Sequence, residues 1–175
     1  MPADATGASA QHAGGSPSPD APVEADDDVA IRSATLADEE AVLALIGADE
    51  ITRGRVPGTW PTDGQRAGFR RIVGADDHDL VVADRDGTVV GVVQLSFLPE
   101  FARDGERAQL ETMHVASSEQ RRGVGRALIE HAIRRARERG CGLVQLTSGT
   151  FRPDAHRFYA AMGFEPTHVG FKLAL

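Results

Sequence analysis

The spacing of apolar residues becomes regular at Val29 and stays regular to the end of the chain. Two Val-rich runs flank Arg85-Asp86-Gly87, and an Asp-Gly step between such runs is typical of a β-hairpin. Short apolar or alternating runs of this kind predict strands at residues 29–32, 79–84, 88–98, 107–115, 143–147 and 167–175.

Longer runs with helical spacing lie between the predicted strands. Thr35 and Asp38 are suitable N-caps for a helix that ends near Gly47, and Gly140 is placed to end the longest helix. Helices are therefore predicted at residues 35–47, 65–73, 123–139 and 154–162, with a Gly- and Pro-rich loop at 48–64. About six strands and four helices predict an α/β fold (an α+β mixed sheet), in which helices flank a central twisted sheet.

Residues 1–28 have a different composition from the rest of the chain. They consist largely of Ala, Pro, Gly, Ser and Asp, and Val23 is their only branched aliphatic residue. Such a segment buries too little apolar surface to offset the entropy of ordering. We therefore expect a disordered tail at 1–28 and a single domain over 29–175.

Charge and cysteine content exclude several classes of function. The net charge is −7, but the tail holds six acidic residues and no basic ones, so residues 29–175 are close to neutral. A nucleic-acid-binding protein would show a net basic surface, and the longest apolar run, residues 41–46, is too short to span a membrane. With one cysteine and no Cys/His array, neither a disulfide framework nor a metal site is expected. We expect a soluble, cytoplasmic protein that binds neither nucleic acid nor membrane.

The stretch Gln-Arg-Arg-Gly-Val-Gly-Arg at 120–126 connects a predicted strand to the longest predicted helix. Glycines at a helix start allow close approach to backbone N–H groups, and the helix dipole attracts anions there. A phosphate-binding loop and an ordinary tight turn both fit this pattern. A P-loop is excluded because no Gly-Lys-Ser/Thr is present, and Leu128 stands where a dinucleotide-binding fingerprint needs a small residue.

Two motifs in this half of the chain resemble those of one protein family. Gln120-x-x-Gly123-x-Gly125 is similar to the Q/R-x-x-G-x-G/A signature of the GNAT superfamily of acyl-CoA-dependent N-acyltransferases. Residues 155–164, AHRFYAAMGF, resemble the A-x-x-F-Y-x-x-x-G-F element of the same family. The two motifs occur in the family's order and spacing, and the resemblance extends over roughly residues 29–175.

The resemblance implies a site for acyl-CoA between two splayed strands. The pantetheine arm would pair with backbone near residues 113–115, and the pyrophosphate would contact N–H groups of residues 121–126. It assigns cofactor binding to Met113, His114, Val115, Gln120, Arg121, Arg122, Gly123, Val124, Gly125, Arg126, Asp154 and Phe158. Asp154 departs from the family, which often has Asn at this position. A carboxylate cannot donate the hydrogen bond that an amide can donate.

Two side chains are candidates for proton transfer. Glu111 lies on the strand before the glycine motif and could act as a general base, or it could be an ordinary solvated strand residue. Tyr159 matches the family's proton donor to the CoA thiolate, although a core tyrosine would also fit. His114 could relay a proton or contribute only its backbone; strand alternation puts it on the face opposite Glu111 unless a bulge intervenes.

The resemblance therefore implies an N-acetyltransferase that moves the acetyl group of acetyl-CoA to a primary amine of a small molecule, by direct attack in a ternary complex. An acyl-CoA-binding sensor without turnover and a peptide or protein N-acetyltransferase are the alternatives. The resemblance also implies that the loop at 48–64 helps to form the acceptor pocket. This loop mixes acidic and basic residues and so favours neither charge of acceptor. A homodimer is possible, and no metal is expected.

Overall fold

Five strands form one sheet in the computed structural model, which describes residues 28–54, 58–101 and 105–174. Their order across the sheet is β1-β2-β3-β4-β5; the first three pairs of neighbours are antiparallel, and β4 and β5 are parallel. The strands are β1 (Val29–Ser33), β2 (His78–Arg85), β3 (Thr88–Pro99), β4 (Glu106–Val115) and β5 (Leu143–Leu146). Apart from residue 28, the predicted tail lies outside the described residues.

Helices cover both faces of the sheet. They are α1 (Glu39–Gly47), α2 (Glu50–Arg53), α3 (Asp63–Val73), α4 (Val124–Glu138) and α5 (Pro153–Ala161). Val81 and Ala83 of β2 pack in the cluster that contains Leu128 of α4. The alternate residues Leu80 and Val82 pack with α1 and α3 instead. The mixed α/β architecture predicted from the sequence is thus confirmed, with a three-layer arrangement.

The predicted hairpin is present between β2 and β3. Asp86 and Gly87 both have a positive φ, 50° and 79°, as a two-residue turn between twisted antiparallel strands requires. Asp84 supports the turn, because its carboxylate accepts a 2.8 Å hydrogen bond from the backbone N–H of Gly87.

Among its described residues, the segment predicted as a loop at 48–64 contains a short helix, α2, which the sequence prediction missed, and the first two residues of α3. Part of this segment is fixed to α1 by Trp60, whose indole N–H donates a 2.7 Å hydrogen bond to the carbonyl of Leu43. The indole ring covers Gly47 so closely that a Cβ at that position would lie 2.2 Å from Nε1. A side chain at position 47 would therefore displace the ring.

The prediction of a sixth strand at 167–175 is wrong: residues 164–174 have no regular secondary structure. The alternation that suggested a strand is real, but Val169, Phe171 and Leu173 are 80%, 92% and 86% exposed. Alternation describes which side chains share a face, whereas a strand also needs a neighbour to accept its backbone hydrogen bonds. The described sheet ends at β5 and has five strands.

Candidate functional site

The two halves of β4 have different neighbours. Residues 107–110 pair with β5 at residues 143–146, in parallel register, and with β3 on the other side. Residues 112–115 pair with β3 alone. Within the described chain, the second half of β4 therefore presents one backbone edge, with its N–H and C=O groups, to no other strand. A ligand with amide groups could complete this edge.

A β-bulge at Glu111 marks the change between the two halves. Leu110 opposes Leu95 and Thr112 opposes Gln94, so Glu111 is the extra residue of β4. Bulges interrupt the ladder and change the direction of the strand that carries them. The Glu111 side chain is exposed, and its position places it at the start of the open edge.

The bulge also changes which side chains of β4 share a face. Leu110, Met113 and Val115 all pack against the α4 side of the sheet, although an unbroken strand would put residues 110 and 113 on opposite faces. His114 lies opposite Val92, which packs on the α1 and α3 side. A bulge therefore does occur at Glu111, as the sequence analysis allowed. Because of it, strand alternation does not determine on which face His114 lies relative to Glu111.

His114 approaches the corner between α1 and α2. Its Nδ1 lies 3.7 Å from Oδ2 of Asp49, and the same oxygen accepts a 2.9 Å hydrogen bond from the hydroxyl of Thr52. Both Asp49 and His114 are partly buried. This contact brings the beginning of the predicted acceptor segment to the open half of β4, across 65 residues of sequence.

The glycine motif forms the loop that enters α4. Arg121 and Gly123 have φ values of 63° and 85°, in the left-handed region, and Gly123 is the N-cap of α4. The first hydrogen bond of the helix runs from the N–H of Ala127 to the carbonyl of Gly123. The N–H groups of residues 124–126 precede it and, as at any helix start, are available to an anion.

The charges around this loop favour an anionic ligand. The first turn of α4 contains no acidic residue, and Arg121 and Arg122 are exposed. Arg126 is partly buried and its guanidinium lies 3.5 Å from Glu130. Positive side chains and the positive end of the helix dipole thus act on the same region.

The loop is held by a buried carboxylate that the sequence analysis did not identify. Glu119 is 8% exposed, and its two oxygens lie 3.1 Å from the guanidinium groups of Arg85 and Arg122. Arg85 ends β2, so this pair of contacts connects the loop to the hairpin. Nothing in the local sequence distinguishes Glu119 from a solvated loop residue.

Three elements meet at Gly125. A Cβ built there would lie 3.6 Å from the Phe158 ring and 3.8 Å from Cγ2 of Val115, which are ordinary contact distances. The start of α4, the end of β4 and helix α5 are therefore adjacent, as the predicted cofactor site requires. A methyl group fits at this position, so the packing of the protein does not itself demand glycine.

Tyr159 packs beside this junction. Its ring makes edge contacts with Phe158 and Phe164, at centroid distances of 5.3 and 5.9 Å, and it packs against the same core as α4. Burial raises the pKa of the Tyr159 hydroxyl above its ordinary value of 10.0, and nearby Arg152 opposes this effect only in part. The hydroxyl therefore stays protonated at neutral pH, as a proton donor must.

Asp154 is the predicted cofactor residue whose placement gives the least support. It lies exposed in the first turn of α5, and its carboxylate forms an ion pair with Arg157 of the same helix. Gln120 is exposed beside the loop.

The described residues contain no group of His, Cys, Asp and Glu able to hold a metal ion, and none of their helices is long and apolar enough to cross a membrane.

Comparison with known proteins agrees with this geometry. The family model described as Acetyltransferase (GNAT) family matches residues 45–164, which include β4, the glycine loop, α4 and α5. The chain belongs to the GNAT acetyltransferase family. This GNAT chain is an acyltransferase by family, and the resemblance noted in the sequence is confirmed.

Individual relatives and structures support the same assignment. The GNAT domain is 28% identical over 145 residues to an aminoalkylphosphonate N-acetyltransferase of Salmonella typhimurium. This alignment covers 83% of the chain and 90% of the relative. It is 32% identical over 107 residues to streptothricin acetyltransferase of Streptomyces lavendulae, which covers 60% of this chain and 54% of that relative. A crystal structure described as a transcriptional regulator from Bacillus halodurans superposes with a TM-score of 0.79 at 35% identity, covering 84% and 99% of the two chains.

Proposed function

We propose that this GNAT protein transfers the acetyl group of acetyl-CoA to a primary amine of a small molecule, by direct attack in a ternary complex. The observation that carries the proposal is the open edge of β4 at residues 111–115, which lies beside the N-terminus of α4. Amide groups and a pyrophosphate are both present in acetyl-CoA. The two features together suit that molecule better than a simple anion.

Donor binding would use backbone more than side chains. Residues 113–115 offer N–H and C=O groups to the amides of the pantetheine arm. Residues 124–126 offer the first N–H groups of α4 to the pyrophosphate, and Arg121, Arg122 and Arg126 add positive charge. A backbone N–H near Met113 would also polarise the thioester carbonyl.

Proton transfer would use Glu111 and Tyr159. Glu111 takes one proton from the acceptor ammonium, directly or through water, because only a neutral amine attacks a thioester. The amine nitrogen then bonds to the carbonyl carbon and the carbon–sulfur bond breaks. Tyr159 gives its proton to the departing thiolate and recovers the proton that remains on the new amide nitrogen. The products are an N-acetylated amine and CoA, with one proton released by Glu111.

Two relatives support a small-molecule acceptor. By their names, the Salmonella typhimurium enzyme acts on aminoalkylphosphonates and the Streptomyces lavendulae enzyme acts on streptothricin. The corner at Asp49 and His114 supports an acceptor site on the opposite side of β4 from α4. We propose a primary amine as the acceptor on these two grounds.

An acyl-CoA-binding sensor without turnover is the second candidate. The structure from Bacillus halodurans, described as a transcriptional regulator, favours it because that chain is matched over 99% of its length. Glu111 and the protonated Tyr159 favour the enzyme, because ligand binding alone requires neither.

Calorimetry and a thiol-release assay separate the two candidates. We expect the wild-type protein to bind acetyl-CoA and to release free thiol when aminoalkylphosphonates, aminoglycosides or polyamines are added. Acetyl-CoA without amine provides the background rate of hydrolysis. Binding without amine-dependent release would favour the sensor, and absence of binding would refute both.

A further inference from the structure

One buried hydroxyl near the site has no hydrogen-bond partner. Among the described residues, three buried side-chain polar atoms lack one: Nε of Arg85, Oε2 of Glu119 and Oγ of Ser148. The first two belong to residues joined by an ion pair, with 3.1 Å between Oε2 of Glu119 and the guanidinium of Arg85. Ser148 alone has neither a hydrogen bond nor an opposite charge to compensate its burial.

An unpartnered buried hydroxyl is costly. Leaving such a group without a hydrogen bond costs on the order of 1–3 kcal/mol of folding free energy, and most buried polar groups in proteins are paired. An alanine at this position would avoid the cost. A functional partner supplied from outside the chain is one reason to keep the hydroxyl.

Ser148 lies at the open end of the gap between β4 and β5. The last paired residues are Leu110 and Leu146, so Ser148 comes two residues beyond the end of pairing. Continued parallel register would place it opposite Thr112, in the open half of β4. Val144 and Leu146 both pack toward the core that contains Tyr159. Residues 147–149 have no regular secondary structure, and continued period-two alternation would put residue 148 in the same row.

We propose that Oγ of Ser148 hydrogen-bonds an amide group of the acyl-pantetheine arm of acyl-CoA. This inference rests on the proposed function, since the arm would occupy the gap that Ser148 borders. A serine hydroxyl can donate to an amide carbonyl or accept from an amide N–H. Ser148 thus binds the arm from the β5 side, while the backbone of residues 113–115 binds it from the β4 side.

The decisive variant is Ser148→Ala, with Ser96→Ala as its matched control. Ser148 is partly exposed and only its Oγ is buried, whereas Ser96 is a buried residue at 4% exposure. The Ser96 hydroxyl lies 3.0 Å from Nδ1 of His78, on the part of β3 that faces the paired half of β4. Removing a satisfied hydroxyl lowers stability, whereas removing an unsatisfied one does not. The two variants should therefore have opposite effects on folding and on binding.

We expect Ser148→Ala to leave Tm unchanged or raised and to weaken acetyl-CoA binding about threefold to tenfold, the effect of one lost hydrogen bond. Its affinity for 3′-phospho-ADP, which lacks the pantetheine arm, should equal that of the wild type. Ser96→Ala should lower Tm and bind both ligands normally.

Three results would overturn the inference. If Ser148→Ala binds acetyl-CoA as tightly as the wild type, the hydroxyl has no role in binding the arm. If the Tm of Ser148→Ala falls as that of Ser96→Ala does, the hydroxyl is structural. If Ser148→Ala lowers the affinity for both ligands equally, the assignment to the pantetheine arm is wrong. Failure of the wild-type protein to bind acetyl-CoA would instead refute the proposed function itself.

Discussion

The two halves of β4 differ in their strand partners. In residues 107–110, strands lie on both sides and Ala108 and Leu110 are buried in the core. In residues 111–115, one edge lacks a strand partner and the side chains are partly or fully accessible. The first half contributes stability, and the second half is suited to binding. A single extra residue, Glu111, separates them.

This comparison predicts that substitutions will divide into two classes. Changes in the open half, or in the loop beside it, should affect binding or turnover with little effect on folding. Changes in the paired half should affect folding and leave the chemistry intact. The variants of Glu111, Gly125 and Gln145 test that division, and the variant of Tyr159 tests the chemistry proposed beside the open half.

The largest effect is expected from Glu111→Gln. If Glu111 is the base, turnover should fall by about 10²–10⁴-fold, as is typical of general base catalysis. Tm should not change, because the side chain is exposed. Steady-state kinetics over pH 5–9 provide the measurement. Wild-type turnover at every pH would make Glu111 a simple bulge residue.

The next effect is expected from Tyr159→Phe. Loss of the hydroxyl should lower turnover by up to about 10²-fold, while acetyl-CoA affinity in calorimetry stays close to the wild-type value. Because burial raises the pKa of Tyr159 above 10.0, its deprotonation occurs only at higher pH. Any loss of wild-type activity caused by this ionisation should therefore have its midpoint above pH 10. Unchanged turnover in Tyr159→Phe would leave the residue a packing role only.

Gly125→Asp should weaken acyl-CoA binding by at least about 2 kcal/mol, or roughly 30-fold, through repulsion of the pyrophosphate and loss of N–H contacts. The fold should remain stable, because the position has room for a Cβ and an acidic residue in the first turn of a helix is favourable. Gly125→Ala is the control for the added carbon. Unchanged affinity in a folded Gly125→Asp protein would exclude the loop as the phosphate site.

The smallest effect is expected in the paired half. The Gln145 amide donates a 2.7 Å hydrogen bond to Oε1 of Gln109, between β5 and β4. Gln145→Ala should lower the free energy of unfolding by about 1 kcal/mol in a urea titration, with kcat and KM unchanged. A loss of activity larger than the loss of stability would contradict the division of β4.

Local signals made much of the fold predictable. The turn at Asp86-Gly87 and the start of α4 at Gly123 both require positive φ, and the sequence marks both with glycine. The order of strand, glycine loop and helix followed from the same signals. These features depend on neighbours in sequence, which is why one sequence was enough to predict them.

Features that depend on distant contacts were missed or mispredicted. No glycine or proline marks the bulge at Glu111, which arises from pairing between β3 and β4. The contact of Asp49 with His114 and the burial of Glu119 against Arg85 join segments far apart in the chain. The segment at 167–174 shows the converse, since its strand-like alternation is not accompanied by a pairing partner in the described sheet.

Trp60 is an internal fluorophore whose position is fixed by its hydrogen bond to Leu43. Trp60 is the only tryptophan of the chain, and its indole rests on Gly47 at the end of α1, two residues before Asp49. Emission excited at the indole band therefore reports on one place, the attachment of the segment around Trp60 to α1. Release of that segment would expose the ring to water and shift its emission to longer wavelength. If the acceptor binds at this segment as proposed, titrating amines against this signal would follow binding without labels and without turnover.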